Sequence, residues 1–555
     1  SAKIVEETGF KGIWASGLSL ATAMGVRDRN EASWTQVIDI LEFMADATTI
    51  PILLDGDTGY GDFNNFRRLV KKLGQRGIGA VCIEDKVFPK TNSLIDGDQA
   101  LADVDEFCGK IKAGKDSQSD DDFSIMVRPD GTSVSATYDS AGRIDQLLVA
   151  GGTVAYSYFP NLDPISPGKI QSVASSLDAE TLDFAHDGAL PVSMTWSGPI
   201  AGSVSWAYDD DLRVVSETVS GEAVSFSYGD GDGLLTLAGQ LGLSLDAETG
   251  LLLGTTLGAT ADALTYNQFG EPTSYVASHA GSPVYEESRV YDALGRITHK
   301  TETVQGTTTG YEYTYDDGGR LFEVLQGTGD CQTTTCFPLA SYGYDANGNR
   351  LLATESGNHT VAVYDAQDRL TTRGSTTYTY TDAGDLLTKA GIAGTTTYAY
   401  DVLGNLRSVV LPTATTVEYV IDGMNRRVGK KLDGALVRGW LYGSALGPIA
   451  EVGSDGATVE SRFVYGTRGH VPDYMVKGGS TYRLVTDHLG SVRLVVRVDD
   501  GSVAQRLDYD AWGVVLSDSN PGFQPFGFAG GLYDSDTELV RFGVRDYDAE
   551  SGRWT

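Results

Sequence analysis

One short text recurs along this chain and limits what most of it can become. Tyr291-Asp292-Ala293-Leu294-Gly295-Arg296-Ile297 returns as Tyr315-Asp316-Asp317-Gly318-Gly319-Arg320-Leu321. It returns again as Tyr344-Asp345-Ala346-Asn347-Gly348-Asn349-Arg350-Leu351 and as Tyr364-Asp365-Ala366-Gln367-Asp368-Arg369-Leu370. Tyr380-Thr381-Asp382-Ala383-Gly384 and Tyr400-Asp401-Val402-Leu403-Gly404-Asn405 continue the series, in steps of 24, 29, 20, 16 and 20 residues. An earlier copy is Tyr138-Asp139-Ser140-Ala141-Gly142-Arg143-Ile144, and Tyr208-Asp209 is a degenerate one. Alternating text such as Thr376-Thr377-Tyr378-Thr379-Tyr380 has the two-residue period of a strand. Asp-x-x-Gly is a turn, because Asp bonds nearby backbone amides and Gly supplies positive φ. Each unit therefore reads as a β-hairpin. A lone hairpin cannot bury its apolar face, so the units must stack. The tyrosines are expected to pack in ladders between hairpins, and the turn aspartates to be structural.

The repeat does not run from end to end. Residues 1–124 hold nine of the fifteen lysines, one of the 28 tyrosines (Tyr60) and none of the six histidines. Length alone would allow three or four domains in 555 residues. The composition instead shows two regions of different origin. Both are acidic, and the whole carries 42 basic against 75 acidic side chains, a formal net charge of -33. That balance argues against nucleic acid or an anionic membrane surface as partner, since both need clustered positive charge. No apolar run approaches a membrane span. Ser1 opens on a helical pattern (Ile4, Val5, Phe10) without an initiator methionine, and the chain stops at Arg553-Trp554-Thr555. The expectation is a fragment of a longer protein.

Before the seam, apolar runs of strand length alternate with amphipathic stretches. Strands are expected at Gly12–Gly17, Pro51–Asp55, Ala80–Glu84 and Phe123–Val127, and helices at Trp34–Met44, Asn64–Leu73 and Val104–Ile111. Near-continuous apolar strands imply a parallel sheet covered on both faces. Asp55 and Asp57 follow the second strand, and Glu84 and Asp85 the third. Carboxylates at neighbouring parallel strand ends converge on one side of the sheet. Such a group of hard oxygens suits Mg²⁺, bound directly or through waters. Isolated strand-end acids can equally be solvated caps.

These motifs carry a resemblance. Trp14-Ala15-Ser16-Gly17-Leu18, Gly25-Val26-Arg27-Asp28, Asp55-Gly56-Asp57-Thr58-Gly59-Tyr60-Gly61 and Glu84-Asp85-Lys86-Val87-Phe88-Pro89-Lys90-Thr91-Asn92-Ser93 resemble phosphoenolpyruvate mutase. That family belongs to the isocitrate lyase superfamily of (β/α)8 barrels. Its loop at Lys90-Thr91-Asn92-Ser93 points to the mutase and not to the lyases, which carry a cysteine there. The resemblance spans about residues 1–128. It implies that Asp55, Asp57 and Glu84 surround Mg²⁺ and that Trp14, Ser16, Gly17 and Leu18 cradle the substrate carboxylate. It places Asp28 beside the transferring phosphoryl group and Lys90, Asn92 and Ser93 on a gating loop. Arg128 is matched to a phosphoryl-binding arginine. The family reaction interconverts phosphoenolpyruvate and phosphonopyruvate, which relies on positioning and charge neutralisation. The pattern ends at Pro129-Asp130-Gly131, and no matching histidine follows. About half a barrel is therefore expected, with open edges and an uncovered interior layer.

The repeat region resembles the YD-repeat or RHS proteins, relatives of toxin-complex C subunits and of teneurins. Asp487-His488-Leu489-Gly490-Ser491-Val492-Arg493, Tyr509-Asp510-Ala511-Trp512-Gly513, and the run from Pro525 to Trp554 resemble the RHS-associated core. The expected fold is thus mainly β: a spiralling antiparallel YD-repeat shell over 129–469, a truncated core region over 470–555, and a small α/β partial barrel over 1–128. The resemblance implies a shell around a C-terminal toxic polypeptide, which this chain lacks, with secretion-system or toxin-complex proteins as further partners. In that family the core frees the cargo with aspartates. Asp546 and Asp548 lie in that neighbourhood but read as turn residues, so no protease role is carried over.

His488 has no nucleophile partner at a telling spacing and reads as structural, and the six histidines form no metal spacing. Cys331 and Cys336 bracket a tight loop in which a local disulfide suits an exported chain; two thiols alone make a weak metal set. Cys82 is expected in a buried strand and Cys108 on a helix.

Three functions stand open. The first is a non-enzymatic shell that encapsulates or presents a toxin, exported or at the cell surface. The second is a Mg²⁺-dependent mutase-like isomerase or lyase, cytoplasmic, its activity limited by an incomplete barrel. The third is a recombined or misassembled fusion with neither role.

Overall fold

The computed structural model describes residues 2–7, 12–27, 31–84, 88, 104–118, 123–128, 135–141, 143–149, 151–161, 163, 165–355 and 357–555. The chain forms two compact units, residues 1–150 and 151–555.

In the first unit, four strands lie side by side in chain order: β1 (Ile13–Ala15), β2 (Ile52–Asp55), β3 (Ala80–Glu84) and β4 (Ser124–Arg128). All three pairings are parallel, with Ile13 opposite Ile52, Leu53 opposite Ala80 and Val81 opposite Ile125. The helices are α1 (Ala2–Glu7), α2 (Gly17–Met24), α3 (Trp34–Asp46), α4 (Phe63–Gly74) and α5 (Val104–Lys115). Helix α3 starts where Ser33 and Gln36 cap each other's backbone amides. It buries Val37, Ile38 and Leu41. Helix α4 starts at Asp62, whose carboxylate accepts from the Asn64 and Asn65 amides. Its buried Phe66, Leu69, Val70 and Leu73 follow the i, i+3, i+4, i+7 stripe of a helix lying on a sheet. With Leu41, Leu54, Val81 and Ile83 they make the core. The first strand is shorter than its apolar run suggests. Ser16 is still extended, but Gly17 already begins α2, which ends at Gly25 with φ 71°. Cys82 is half-buried rather than buried, and Cys108 on α5 is exposed. The unit also holds a first Tyr-Asp hairpin, Ser135–Tyr138 with Ile144–Val149.

The second unit is almost wholly β. Among the described residues, thirty-four strands, from Gly152–Tyr158 to Val515–Asp518, follow in chain order, each antiparallel to the next. A separate four-stranded sheet follows: Leu532–Asp534, Leu539–Phe542, Arg545–Asp548 and Arg553–Trp554. The fold is therefore mainly β, preceded by an α/β part.

The Tyr-Asp copies that carry an arginine four residues on build their turns the same way. Asp292 Oδ1 accepts from the Leu294 amide at 2.9 Å and the Arg296 amide at 3.0 Å. Its Oδ2 takes the Arg296 guanidinium at 2.7 Å. Gly295 holds φ 76°. Asp368, at φ 59°, and Asn425, at φ 60°, fill that left-handed position in other copies. The pairing slips one residue just before each tyrosine. Val290 faces His299 but Tyr291 faces Ile297, so Thr298 bulges.

Copies also join to one another. The Arg296 guanidinium lies over the Tyr315 ring, 4.5 Å from its centre. The Tyr315 hydroxyl donates to the Ile297 carbonyl at 2.7 Å. The same rung links Tyr344 to Leu321, Tyr364 to Arg350, Tyr380 to Leu370 and Tyr442 to Arg427. Far parts of the sheet then pack together. Trp196, Ile200 and Val204 share a core with Val420, Trp440, Leu441 and Ile449.

Candidate functional site

The strand ends of the first unit gather its polar side chains. β2 ends at Asp55, and the backbone turns at once. Gly56 presses so closely on β3 that a Cβ there would sit 2.7 Å from Val81 Cγ2 and 2.9 Å from the Cys82 carbonyl. Only glycine leaves room for its amide to donate to that carbonyl at 2.7 Å. Asp57 and Tyr60 then hold φ 50° and 56°, a conformation that costs a side-chain-bearing residue about 1–2 kcal/mol. Such strain persists where the surroundings fix it, and it clusters at functional sites. Here the Glu84 amide donates to the Asp57 carbonyl at 2.7 Å, tying the loop to the end of β3.

Two carboxylates meet over the start of α2. The Gly17 amide donates to Asp55 Oδ2 at 3.1 Å. A Cβ on Gly17 would stand 3.1 Å from Asp57 Oδ1 and 3.4 Å from Asp55 Oδ2, so both acids crowd this glycine. The Asp57 amide reaches back to Asp55 Oδ1 at 3.4 Å. Glu84 closes β3 beside them, and Arg128 closes β4 opposite Glu84 in register. Trp14 is half exposed and lines a cavity of about 590 Å³ along the N-terminal halves of the strands, with Ile13, Leu53 and Phe123. Ser16 supplies the bend between β1 and α2. Leu18 lies on α2. The side chains of Leu18 and Arg128, and all of Asp28, Lys90, Asn92 and Ser93, fall outside the described residues.

Among the described residues, no three carboxylate, histidine or cysteine side chains stand close enough to grip a metal ion together. Mg²⁺ does not need three: it keeps several waters and is held by one or two carboxylates. Asp55 and Asp57 fit that requirement.

Lys110 of α5 was not flagged by the sequence. It is buried, and its ammonium donates to the Thr58 carbonyl at 3.0 Å, pinning the acidic loop from behind. No local pattern distinguishes it from a solvated lysine, because the contact spans 52 residues.

The second unit uses its buried charges in pairs. Asp546 takes both Arg427, at 3.0 Å, and Arg541, at 2.7 Å. Asp548 takes Lys389 at 3.2 Å. Tyr419 donates to Asp534 at 2.7 Å. These aspartates fasten the small C-terminal sheet to the long one. His488 Nδ1 lies 3.4 Å from Glu287 Oε1. Burial raises the Glu287 pKa, but His488, Lys300 and Arg289 outweigh it and hold that carboxyl at about 2. Cys331 and Cys336 form a disulfide.

Comparison with known proteins separates the same two regions. A family described as Teneurin YD-shell matches residues 114–555, and one described as Phosphoenolpyruvate phosphomutase matches residues 1–175. The chain is similar to the phosphoenolpyruvate phosphomutase of Tetrahymena pyriformis, with 69% identity over 129 residues, 23% of this chain and 43% of that protein. It is similar to teneurin-4 of Mus musculus, with 31% identity over 273 residues, 48% of this chain and 9% of that protein. Among solved structures, the phosphoenolpyruvate phosphomutase of Streptomyces platensis subsp. rosaceus is 45% identical, with TM-score 0.23, over 23% of this chain and 45% of its own. A TcdB2-TccC3-Cdc42 structure is 13% identical, with TM-score 0.34, over 76% of this chain and 30% of its own. The chain thus spans less than half of the phosphomutases and about a tenth of the teneurins. Among the described residues, no helix is long and apolar enough to cross a membrane.

Proposed function

Since the chain belongs to the Teneurin YD-shell family, we propose that its second unit is a non-enzymatic β-scaffold that encloses or presents a toxic polypeptide attached at its C-terminal side. One observation carries the reading. The long antiparallel sheet repeats one turn module along one end of its strands, and acids such as Asp292 and Asp546 are paired within the protein. Such a sheet offers area and rigidity, not chemistry. Export or display at the cell surface accords with the disulfide, which persists in oxidising compartments. A protease-sensitive reporter joined after Thr555 tests the idea. It should resist digestion while the second unit is folded and be cut once that unit is unfolded by urea. Equal digestion in both states removes the scaffold reading.

A second reading rests on the convergence of Asp55 and Asp57 over Gly17. We propose that this loop binds Mg²⁺ and the carboxylate end of a phosphoenolpyruvate-like substrate. The ion would supply charge neutralisation for the phosphoryl group. Asp55 and Asp57 would hold it, the Gly17 amide would orient Asp55, and Lys110 would keep the loop in place. Trp14, Ser16 and Leu18 would border the substrate, Asp28 would stand beside the phosphoryl group, Lys90, Asn92 and Ser93 would belong to a gating loop, and Arg128 would bind the phosphoryl group. Phosphonopyruvate turnover that requires Mg²⁺ and disappears in Asp57→Ala would establish this activity; no turnover by the intact chain rejects it.

A further inference from the structure

We infer that Asn358 is an acceptor for an N-linked oligosaccharide. The chain has twelve asparagines, and only Asn358-His359-Thr360 reads Asn-x-Ser/Thr. That tripeptide is the acceptor pattern of N-glycosylation and requires a surface position in an exported chain.

The structure supplies the surface position. Asn358 begins the strand Asn358–Tyr364, directly after the short turn from Arg350–Glu355, and pairs with Glu355. Gly357 in that turn holds φ 81°. Asn358 and His359 are both exposed. The His359 ring is drawn aside to the Thr354 hydroxyl, with Nδ1 at 2.9 Å. The Asn358 carboxamide makes no hydrogen bond among the described residues. Other asparagines of the repeat are occupied: Asn349 and Asn405 are buried and donate to the turn acids Asp345 and Asp401.

Placement in the sheet adds a second argument. The Tyr-Asp turns at Asp345 and Asp365 lie at one end of these strands, and the Asn358 turn lies at the other. That end also carries the Cys331–Cys336 loop, in the hairpin just before. Glu355, beside Asn358, pairs with Ala340, which follows that loop. A glycan at Asn358 therefore projects from a rim free of the turn modules, next to a bond that itself calls for an oxidising compartment.

The reaction needs a polyprenyl-diphosphate-linked oligosaccharide as donor. The Asn358 Nδ2 forms a bond to C1 of the reducing-end sugar, and the bond from C1 to the diphosphate oxygen breaks. The polyprenyl diphosphate leaves with the electron pair, and Nδ2 gives up one proton to a base of the transferase.

The inference rests on the export reading. The full chain, carrying a cleavable signal sequence, is expressed in a eukaryotic secretory host, and cysteine alkylation reports the disulfide. The expected result is one oligosaccharide mass step, removed by an amidase specific for N-glycans and lost in both Asn358→Gln and Thr360→Ala. A bare Asn358 in a secreted chain whose Cys331–Cys336 bond has formed overturns this inference and leaves export standing. A mass step that survives Asn358→Gln also overturns it. A chain that stays in the host with reduced Cys331 and Cys336 overturns the export reading and this site with it.

Discussion

Both units place aspartates where strands end, and they do so for opposite ends. In the parallel sheet, Asp55 and Glu84 close adjacent strands that point the same way, and Asp57 follows in the loop, so the acids gather. In the antiparallel sheet, successive Tyr-Asp turns are separated by two strand spacings, about 10 Å. Each acid there serves its own turn, with an arginine four residues later in Asp292–Arg296, Asp316–Arg320 and Asp365–Arg369 and an asparagine in Asp345–Asn349 and Asp401–Asn405. The Arg296 amide and guanidinium hold the Asp292 carboxyl below its usual range, where it stays charged and occupied. Strand direction alone thus decides whether strand-end acids can act together on a ligand or only on their own turn.

That contrast can be broken first at the buried charges of the second unit. Arg427→Met should cost about 1–3 kcal/mol, because it leaves Asp546 deep in the protein with one charged hydrogen-bond donor in place of two. Urea unfolding should show the loss in the second unit's transition and leave the first unit's unchanged. The mirror experiment is Gly56→Ala. A Cβ forced against Val81 and the Cys82 carbonyl should cost about 1–3 kcal/mol in the first unit alone. A shift of both transitions by either variant would mean that the units do not unfold separately.

Acid chemistry sharpens the contrast next. Burial raises Glu180 to about 8, with the nearby Asp422 and Asp178 adding to the effect and the Ile200 amide opposing it. A carboxyl raised on folding binds its proton more tightly in the folded state. Its contribution is therefore full below pH 4.5 and is lost as pH rises through about 8. Glu180→Gln should recover on the order of 2 kcal/mol at high pH, solvent contact allowed for, and change little in acid. Equal gains at pH 5 and pH 9 would refute that assignment. The smallest effect belongs to a single rung: Tyr315→Phe removes the bond to the Ile297 carbonyl and should cost about 1 kcal/mol.

These variants also mark what a reader of the sequence can and cannot see. Local text sufficed for α3 and α4, because Ser33 and Asp62 sit before clear apolar stripes. It sufficed for the turns, where Asp and Gly are spaced for one conformation. Helix α2 was hidden because Ile13-Trp14-Ala15 invites an extended reading through Gly17, and only the Gly17 bond to Asp55 shows why the chain bends there. The rung from Tyr315 to Ile297 depends on which strand lies alongside, and the pairing of Arg427 with Asp546 spans 119 residues. Neither leaves a local trace. At the acidic loop, the meeting of Asp55 and Asp57 was legible from their position after β2, whereas Lys110 became visible only with α5 behind the loop.

The tyrosine rung has one more consequence. Tyr315, Tyr344 and Tyr380 each recognise the copy before through a main-chain carbonyl, an atom every residue possesses. Unequal crossing-over that deletes or duplicates one hairpin therefore rewires a single junction and presents it with a valid neighbour. Sheet length becomes an inherited quantity that can drift by whole hairpins without any new side chain being invented.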